Sequence, residues 1–513
     1  MSGIAAHAAT AVRMTGINKH FGVVAANADV NLAVPAGTVH GLVGENGAGK
    51  STLMSILYGF YQADSGSIEV FGKPATIRNA DDAIALGIGM VHQHFMLVDT
   101  LTALENVMLG AEPHWLLQRA DAQVRSKLNA LMQSTGMKVA LDVQVVDLQV
   151  GDRQRLEILK ALYRGAKILI LDEPTAVLTP QETEQLFDVL RVLRQQGTTI
   201  LLITHKLKEV MRLCDQVTVM RAGRVVRELP IAQASFEGLA EAMVGRKVQV
   251  GRVDDETKSA GEVLLQANNV MVRDALNVVR LSGLNLTLRG GEIVGVAGVS
   301  GNGQSELLDV LSGMLQPTEG QLQLGSKTFE AGTWLQPHGA RALGLAHVPE
   351  DRHARAMVMD FVAWESAVLG YDDLPEYGNG VWMNHSRMRQ ATAGMMEHFD
   401  VRPRDPELLS RSFSGGNQQK LVLAREIGQM PKVLLVGQPT RGVDIGAIEF
   451  IYAQLRALRD AGCAVLVVSS ELDEILALSN RVIVMNQGRV TGELAIEDCT
   501  EASIGLLMVG GAA

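Results

Sequence analysis

The chain has 513 residues, 47% of them apolar, and a formal net charge of −10 with an isoelectric point near 5.7. That length exceeds what one core serves and suggests two or more domains, while the acidic balance, with no basic patch to offset it, excludes a general attraction to nucleic acid. Cys214, Cys463 and Cys499 are scattered without C-x-x-C spacing, which excludes a disulfide framework or zinc site and suits small buried hydrophobes in a reducing cytoplasm.

Residues 1–12 are small and Ala-rich, lack the basic start and apolar stretch of a signal peptide, and read as a loose tail. The apolar run Val39-His40-Gly41-Leu42-Val43 then predicts a strand, and Thr52 to Leu57 a helix with Leu53, Ile56 and Leu57 on one face. Between them, Gly44-Glu45-Asn46-Gly47-Ala48-Gly49-Lys50-Ser51 fills every place of the phosphate-loop pattern G-x-x-x-x-G-K-[ST]. Such a loop wraps phosphates in backbone N–H groups at a helix start, Lys50 adds a point charge, and Ser51 offers a hydroxyl to Mg²⁺. Gln93 follows Gly89-Met90-Val91-His92 and is ambiguous alone; His92 and His94 have no third partner to make a metal site.

Between Gly110 and Asp147 the pattern turns helical: Val124, Leu128, Leu131 and Met132 share a face, and Gly136 suits the helix end. A buried strand follows, Ala166 to Leu171, ending in Asp172-Glu173. Asp172 can hold Mg²⁺ through water or Ser51, and Glu173 can orient and deprotonate an attacking water. Thr204-His205 ends another apolar strand and offers an imidazole that can reach a γ-phosphate, although a lone His there is more often structural. No apolar run approaches the roughly 20 residues that cross a bilayer, so other chains would have to do any spanning.

The second half repeats the first. Asn31-Leu32, Gly37, Gly44, Gly59 and Gly66 recur 254 residues later, and Gly151, Pro174-Thr175, Gly223-Arg224-Val225 and Met243-Val244-Gly245 recur 265 later. Two copies are expected, at 13–245 and 262–513, joined by a polar linker at 246–261, with extra residues in the second copy at the turn-rich stretch 372–380. Ser386 reads as the N-cap of a helix through Met395 and Met396. Phe413-Ser414-Gly415-Gly416-Asn417-Gln418-Gln419-Lys420 opens a further helix with a hydroxyl and two glycines, an end that can face an anion.

The succession of phosphate loop, Ser-Gly-Gly stretch, Asp-Glu pair and His resembles the ATP-binding-cassette ATPases over essentially the whole chain. The resemblance implies an α/β fold of two tandem P-loop ATPase domains, each with a RecA-like core, an antiparallel β subdomain and a helical subdomain. It implies ATP and Mg²⁺ as cofactors, each ATP lying between the phosphate loop of one domain and the Ser-Gly-Gly signature of the other. Gly44, Asn46, Gly47, Gly49, Lys50, Ser51 and Thr52 would then hold ATP with Phe21 against the adenine. Gln93 would sense Mg²⁺ and the membrane subunit, His205 would be the switch histidine, and Asp444 the loop aspartate that reaches across.

The copies are unequal. In the second, Lys50 becomes Gln304, Asp172 Gly437, Glu173 Gln438 and His205 Ser470; Gln93 falls opposite Val348, and no aromatic near Asn277 matches Phe21. The first copy has the damaged signature, Leu148-Gln149-Val150-Gly151-Asp152, and Thr179 in place of Asp444. One composite site is therefore expected complete: Phe21, Lys50, Ser51, Gln93, Asp172, Glu173 and His205 with Ser414, Gly415, Gly416 and Asp444. Fused cassettes without spanning segments are importer subunits or soluble factors of translation or DNA repair; the short linker, unclustered cysteines and single intact site favour the importer. The stretches Val91 to Val98, Glu157 to Arg164, Thr175 to Glu182 and Gln438 to Asp444 are similar to bacterial nucleoside importer subunits that work with a Bmp-type lipoprotein, with ribose and galactose importers the near alternative. The partners implied are two integral-membrane permeases and that substrate-binding lipoprotein, with the chain at the cytoplasmic face of the inner membrane.

Overall fold

The computed structural model describes residues 9–22, 24–92, 95–111, 121–175, 178, 180–247, 261–298, 301–378 and 382–508. The chain divides into two compact units, 1–248 and 249–513. The first contains β1 (Thr10–Phe21), β2 (Val24–Pro35), β3 (Val39–Val43), β4 (Ser65–Val70), β5 (Lys73–Ala75), β6 (Ile88–Val91), β7 (Ile168–Asp172), β8 (Thr199–Ile203), β9 (Gln216–Arg221) and β10 (Arg224–Pro230). They make an antiparallel sheet ordered β2-β1-β4-β5 and a six-stranded sheet ordered β10-β9-β3-β8-β7-β6. In the larger sheet all pairs are parallel except the β9–β10 hairpin.

Every residue of β3, β7 and β8 is buried, the pattern of strands covered on both faces. The helix Lys50–Tyr58 lies between the sheets, with Leu53, Met54, Ile56 and Leu57 in a core that takes Met14, Ile17 and Leu32 from one sheet and Leu42, Ile170 and Leu201 from the other. β1 starts at Thr10, inside the stretch read as a loose tail. Ala11 and Val12 are fully buried in that core, so apolar packing recruits them although their composition is bland. A helical region follows β6, with helices Ala103–Met108, Asp121–Thr135 and Val150–Tyr163. Val124 and Leu128 are buried on it, and Gly136 has the left-handed φ of 73° that ends the second helix.

The second unit repeats the plan with β11 (Val263–Arg273), β12 (Val279–Arg289), β13 (Ile293–Gly298), β14 (Glu319–Leu324), β15 (Lys327–Glu330), β16 (Leu345–Val348), β17 (Val433–Gly437), β18 (Ala464–Val468), β19 (Arg481–Asn486) and β20 (Arg489–Ala495). The sheet orders are β12-β11-β14-β15 and β16-β17-β18-β13-β19-β20. The extra residues of this copy are spread out: β6 and β16 end 257 residues apart, at Val91 and Val348, so part of the extra length precedes β16 instead of lying wholly near 372–380. Ser386 is not the cap of its helix. Asn384, whose side chain accepts the Arg387 N–H at 3.1 Å, caps His385–His398, because an amide one residue before the first turn reaches a free N–H that Ser386, inside the turn, cannot. No helix among the described residues is long and apolar enough to cross a membrane.

Candidate active site

Three connections at the carboxyl ends of neighbouring parallel strands bring the first copy's residues together, the position where open α/β sheets bind ligands. The phosphate loop leaves β3, Asp172 and Glu173 end β7, and His205 follows β8. Gly44 is buried at the loop's start, and Asn46 and Gly47 are exposed at its tip. Gly49 has φ 95° and a Cβ there would lie 2.2 Å from the Ala26 carbonyl oxygen, so only glycine lets β2 approach this closely. Asn27, fully buried, donates to the Gly49 carbonyl at 3.1 Å and ties the small sheet to the loop.

Lys50 is buried and its Nζ donates to the carbonyls of Gly44 at 2.7 Å and Glu45 at 2.9 Å. The ammonium is thus held under the loop where a phosphate oxygen can meet it. Ser51, next in the helix, is exposed, and Thr52 is half-buried. The Ser51 hydroxyl donates to Asp172 Oδ1 at 3.5 Å. Burial raises the Asp172 carboxyl above its ordinary pKa; Ser51 and Lys50 oppose that shift and Glu173 adds to it. A hydroxyl and a carboxylate facing each other are hard oxygen donors and fit Mg²⁺.

Glu173 adopts φ 47° and donates its N–H to Ile203 O at 2.9 Å. A left-handed conformation at a side-chain-bearing residue costs on the order of 1–3 kcal/mol and persists where its surroundings fix it. Here Glu173 Oε1 lies 2.8 Å from His205 Nδ1, both side chains being 15% exposed. Burial alone would raise the Glu173 pKa, but the His205 hydrogen bond and charge, with Lys50 and Lys206, outweigh it and hold the carboxyl below its ordinary value. Glu173 is therefore an ionised acceptor at neutral pH. Phe21 ends β1, 44% exposed, with Tyr61 at 5.1 Å between ring centroids in a T-shaped pair and the Lys19 ammonium 5.6 Å from its centroid; the exposed part of the ring can meet a base. Gln93 and Thr179 lie outside the described residues.

The second copy assembles the other candidates. Ser414 caps the helix Gly415–Ile427, its hydroxyl accepting the Asn417 N–H at 3.5 Å and also the Asn417 side-chain Nδ2 at 2.9 Å. Asp444 caps Ile445–Asp460 through the Ala447 N–H at 2.8 Å, and its Oδ2 lies 3.7 Å from where a Cβ on Gly416 would stand. Arg352 also belongs here: its Nη2 would be 2.6 Å from a Cβ on Gly415, and its Nη1 donates to Arg441 O at 3.0 Å. In the first copy Gln149 provides no cap, and Asp152 is paired with Arg155 at 2.6 Å.

The strand register changes one correspondence. Val91 pairs with Leu171 and Val348 with Val436, positions that match at the 265-residue spacing, so the place of Gln93 falls on Glu350 and not on Val348. The spacing is 254 at the starts of β5 and β15 and 257 at the ends of β6 and β16, so neither the 254-residue spacing, which points to His347, nor Val348 holds there: residues are added between β15 and β16. Glu350 and Arg352 were therefore visible only as part of Pro349-Glu350-Asp351-Arg352 without a place in the site; aligning the ends of the two strands would have found Glu350.

The ABC transporter family matches the chain twice, at residues 28–176 and 281–441. The chain belongs to the ABC transporter family, with two tandem cassettes. It is 41% identical to the nucleoside import ATP-binding protein NupA of Lactococcus lactis subsp. cremoris over 98% of both chains. It is 42% identical to the guanosine import ATP-binding protein NupO of Bacillus subtilis over 97% of both, and 42% identical to the glucose import ATP-binding protein TsgD13 of Haloferax volcanii over 98% of this chain and 96% of that one. A crystal structure of an archaeal ribosome recycling factor with a ribosomal stalk protein shares the fold, at a TM-score of 0.63 and 18% identity over 96% of this chain and 92% of that one.

Proposed function

We propose that this chain is the ATP-hydrolysing subunit of a solute importer, that nucleosides are its solute, and that it hydrolyses ATP at one site. The observation that carries the reading is the set Lys50, Ser51, Asp172, Glu173 and His205 at three adjoining strand ends, against Gln304, Ser305, Gly437, Gln438 and Ser470 at the matching ends of the second cassette. Full-length likeness to nucleoside and guanosine import proteins supports the solute; the similar likeness to a glucose import protein keeps a sugar as the second reading.

In this reading Phe21 stacks on adenine, Gly44 to Thr52 enclose the phosphates, and Ser51, Asp172 and Gln93 would hold Mg²⁺, which would supply positive charge to neutralise the phosphates. Glu173, ionised, takes the proton of the attacking water, and His205 holds that carboxylate in place and faces the γ-phosphate. Ser414, Gly415, Gly416 and Asp444 are the second cassette's own candidates for contacting nucleotide. The identity of the solute is set elsewhere, by two integral-membrane permeases and a substrate-binding lipoprotein, with this chain at the cytoplasmic face.

A groove of about 420 Å³ supports a permease contact on the first cassette: Tyr58, Phe60, His92, Met96, Glu157 and Lys160 line it. Phe60 is 50% exposed and lies 5.3 Å from the His92 ring, directly before Gln93 in the chain. A permease segment seated there would touch the residue next to the metal-sensing glutamine. The test is uptake of labelled guanosine, adenosine and ribose by cells lacking this gene. Loss of nucleoside uptake, restored by the wild-type chain and not by Glu173→Gln, is expected; loss of ribose uptake alone would replace nucleosides with a sugar, and unchanged uptake of all three would overturn the importer.

A further inference from the structure

Arg352 is a half-buried cation whose hydrogen-bond partners are neutral oxygens. It follows the end of β16, and its one guanidinium reaches two other parts of the second cassette. Nη1 donates to Arg441 O at 3.0 Å, in the turn after β17, and Nε donates to Gln418 Oε1 at 3.3 Å, on the helix Gly415–Ile427. Nη2 points between them, 2.6 Å from where a Cβ on Gly415 would stand and 3.6 Å from one on Gly442. The adjacent carboxylate of Asp351 is engaged elsewhere, accepting the N–H groups of His353 at 2.9 Å and Ala354 at 3.0 Å. Burial and the Arg441 charge push the Arg352 guanidinium below its ordinary pKa and Asp351 opposes them, but an arginine stays a cation regardless.

Gly415 does not have a left-handed φ, so its backbone does not call for glycine. Room does: a methyl group there would meet the tethered Nη2 and stand 3.1 Å from the Gly442 carbonyl oxygen. The first cassette changes both members of this pair. At the 265-residue spacing Gly415 matches Val150, and at the 257-residue spacing of the strand ends Val91 and Val348 Arg352 matches Phe95. An acid meets that signature instead, since a Cβ on Gly151 would lie 2.5 Å from Glu182 Oε1. The arginine and the glycine that makes room for it thus occur together where the Ser-Gly-Gly stretch is intact, and are replaced together where it is damaged.

We infer that Arg352 is a positioning residue for ATP hydrolysis, holding the signature start, Ser414 to Gly416, against the turn that carries Asp444. The inference rests on the reading that Ser414, Gly415, Gly416 and Asp444 contact nucleotide. A guanidinium is planar and its donors point in fixed directions, so bonds to Gln418 and Arg441 O set the distance between helix and turn. Asp444 comes three residues after Arg441, and its Oδ2 lies 3.7 Å from where a Cβ on Gly416 would stand. Loosening that junction moves Ser414 relative to Asp444, and a misplacement of about 1 Å can cost roughly 100-fold in rate.

The test is steady-state ATP turnover by the full chain with its permeases. Arg352→Ala should lower kcat by roughly 10–100-fold and leave KM for ATP near that of the parent chain, because Lys50 and the first phosphate loop are untouched. Arg352→Lys, which keeps the charge and loses the fork, should fall between. Millimolar guanidinium ion should restore part of the activity of Arg352→Ala, whereas urea, of the same shape without the charge, should not; a merely structural loss would not respond in this way. Gln418→Ala should cost less, and the two substitutions together less than the product of their separate effects, since they act through one bond. Equal melting temperatures separate lost positioning from lost folding, and Arg352→Lys carries the test if Arg352→Ala does not fold. An unchanged kcat, a raised KM with kcat kept, or rescue by urea equal to that by guanidinium overturns the inference. Ser414→Ala distinguishes it from the reading beneath it: if that variant lowers kcat and Arg352→Ala does not, the positioning role fails and the signature reading stands. If neither lowers kcat, the signature reading fails and the inference with it.

Discussion

At the ends of their central strands the two cassettes share a backbone and differ in what hangs from it. Glu173 and Gln438 have φ of 47° and 49°, and each donates its N–H to the neighbouring strand, to Ile203 O at 2.9 Å and Val468 O at 2.7 Å. His205 and Ser470 meet them in the same way, at 2.8 Å and 3.1 Å. The strained turn is kept where the chemistry is not. Burial of whole strands and N–H bonds to their neighbours hold the turn, so the fold tolerates a change of charge at its tip. On the proposed reading hydrolysis does not, because it would depend on the one carboxylate at Glu173.

The largest expected effect tests that contrast directly. Glu173→Gln, which gives the first cassette the second's residue, should lower ATP turnover by roughly 10²–10⁴-fold. Gln438→Ala should leave phosphate release by the chain with its permeases unchanged; equal loss from both would end the asymmetry. The pH profile has a definite sign. Glu173 is held below its ordinary pKa, so the base stays ionised as the pH falls to the usual carboxylate range, and the stability it contributes is lost only as the pH falls through that depressed value. His205→Ala removes the chief opposing influence, and the acid limb of turnover should move to higher pH.

A second contrast lies behind the strand ends. Glu209 and Glu474 occupy matching buried positions, and burial raises both carboxyl pKa values. Glu209 accepts from Thr175 at 2.5 Å and has Lys206 at 3.6 Å; Glu474 is pushed up to about 7 by burial, which its hydrogen bonds with Ser469 and Thr440 oppose and Glu471, standing where the first cassette has Lys206, reinforces. Below the ordinary value, near 4.5, folded and unfolded chains both carry the proton. Between there and 7 only the folded chain does, so stability falls as pH rises and the penalty is complete above 7. Glu474→Gln should therefore stabilise the second cassette at pH 8, by up to roughly 3 kcal/mol, and not at pH 4.5. Three of the four tryptophans, Trp334, Trp364 and Trp382, lie in that cassette, so their fluorescence during denaturation reads the change. A larger gain from Glu209→Gln would reverse the comparison.

Much of this was legible in the sequence because the decisive signals are local. The loop Gly44 to Ser51 carries its spacing, and apolar runs such as Ile168 to Leu171 are strands in either copy because nothing else covers them on both faces. The errors lie where position depends on distant parts of the chain. Ala11 and Val12 look like tail until a core receives them. Glu350 looks like one acid in a charged turn until the register of β16 against β17 places it beside Ser305. Fixed spacing found the residues that were lost and missed the one that was gained.

Lys50→Gln sharpens the contrast at the phosphates. Removing a buried ammonium that bonds the loop should weaken nucleotide binding by about 10–100-fold, the worth of a charge-assisted hydrogen bond. Gln304→Ala should cost far less, since the amide brings no charge. Titration with a fluorescent nucleotide reads both, and equal losses would mean that loop geometry, and not charge, governs capture.

The smallest effect concerns the two signature helices, which start by different means. Ser414 caps the second with its hydroxyl; the first has uncapped Gln149, with Asp152 in its opening turn held by Arg155 at 2.6 Å. An acid in the first turn favours the helix by about 0.3–1 kcal/mol, and it repels the anion that a signature would face. Asp152 thus steadies the helix in a way that an anion-binding end could not use. Gln149→Ser should add about 1 kcal/mol to the first cassette by supplying a cap. Asp152→Asn, the residue of the second copy, should lower its stability by a few tenths of that up to the whole. Nucleotide-free melting of the two variants and their combination reads the balance. If Asp152→Asn is stabilising, the acid contributes nothing to the helix, and its place in the damaged signature loses the only structural reason the molecule offers for it.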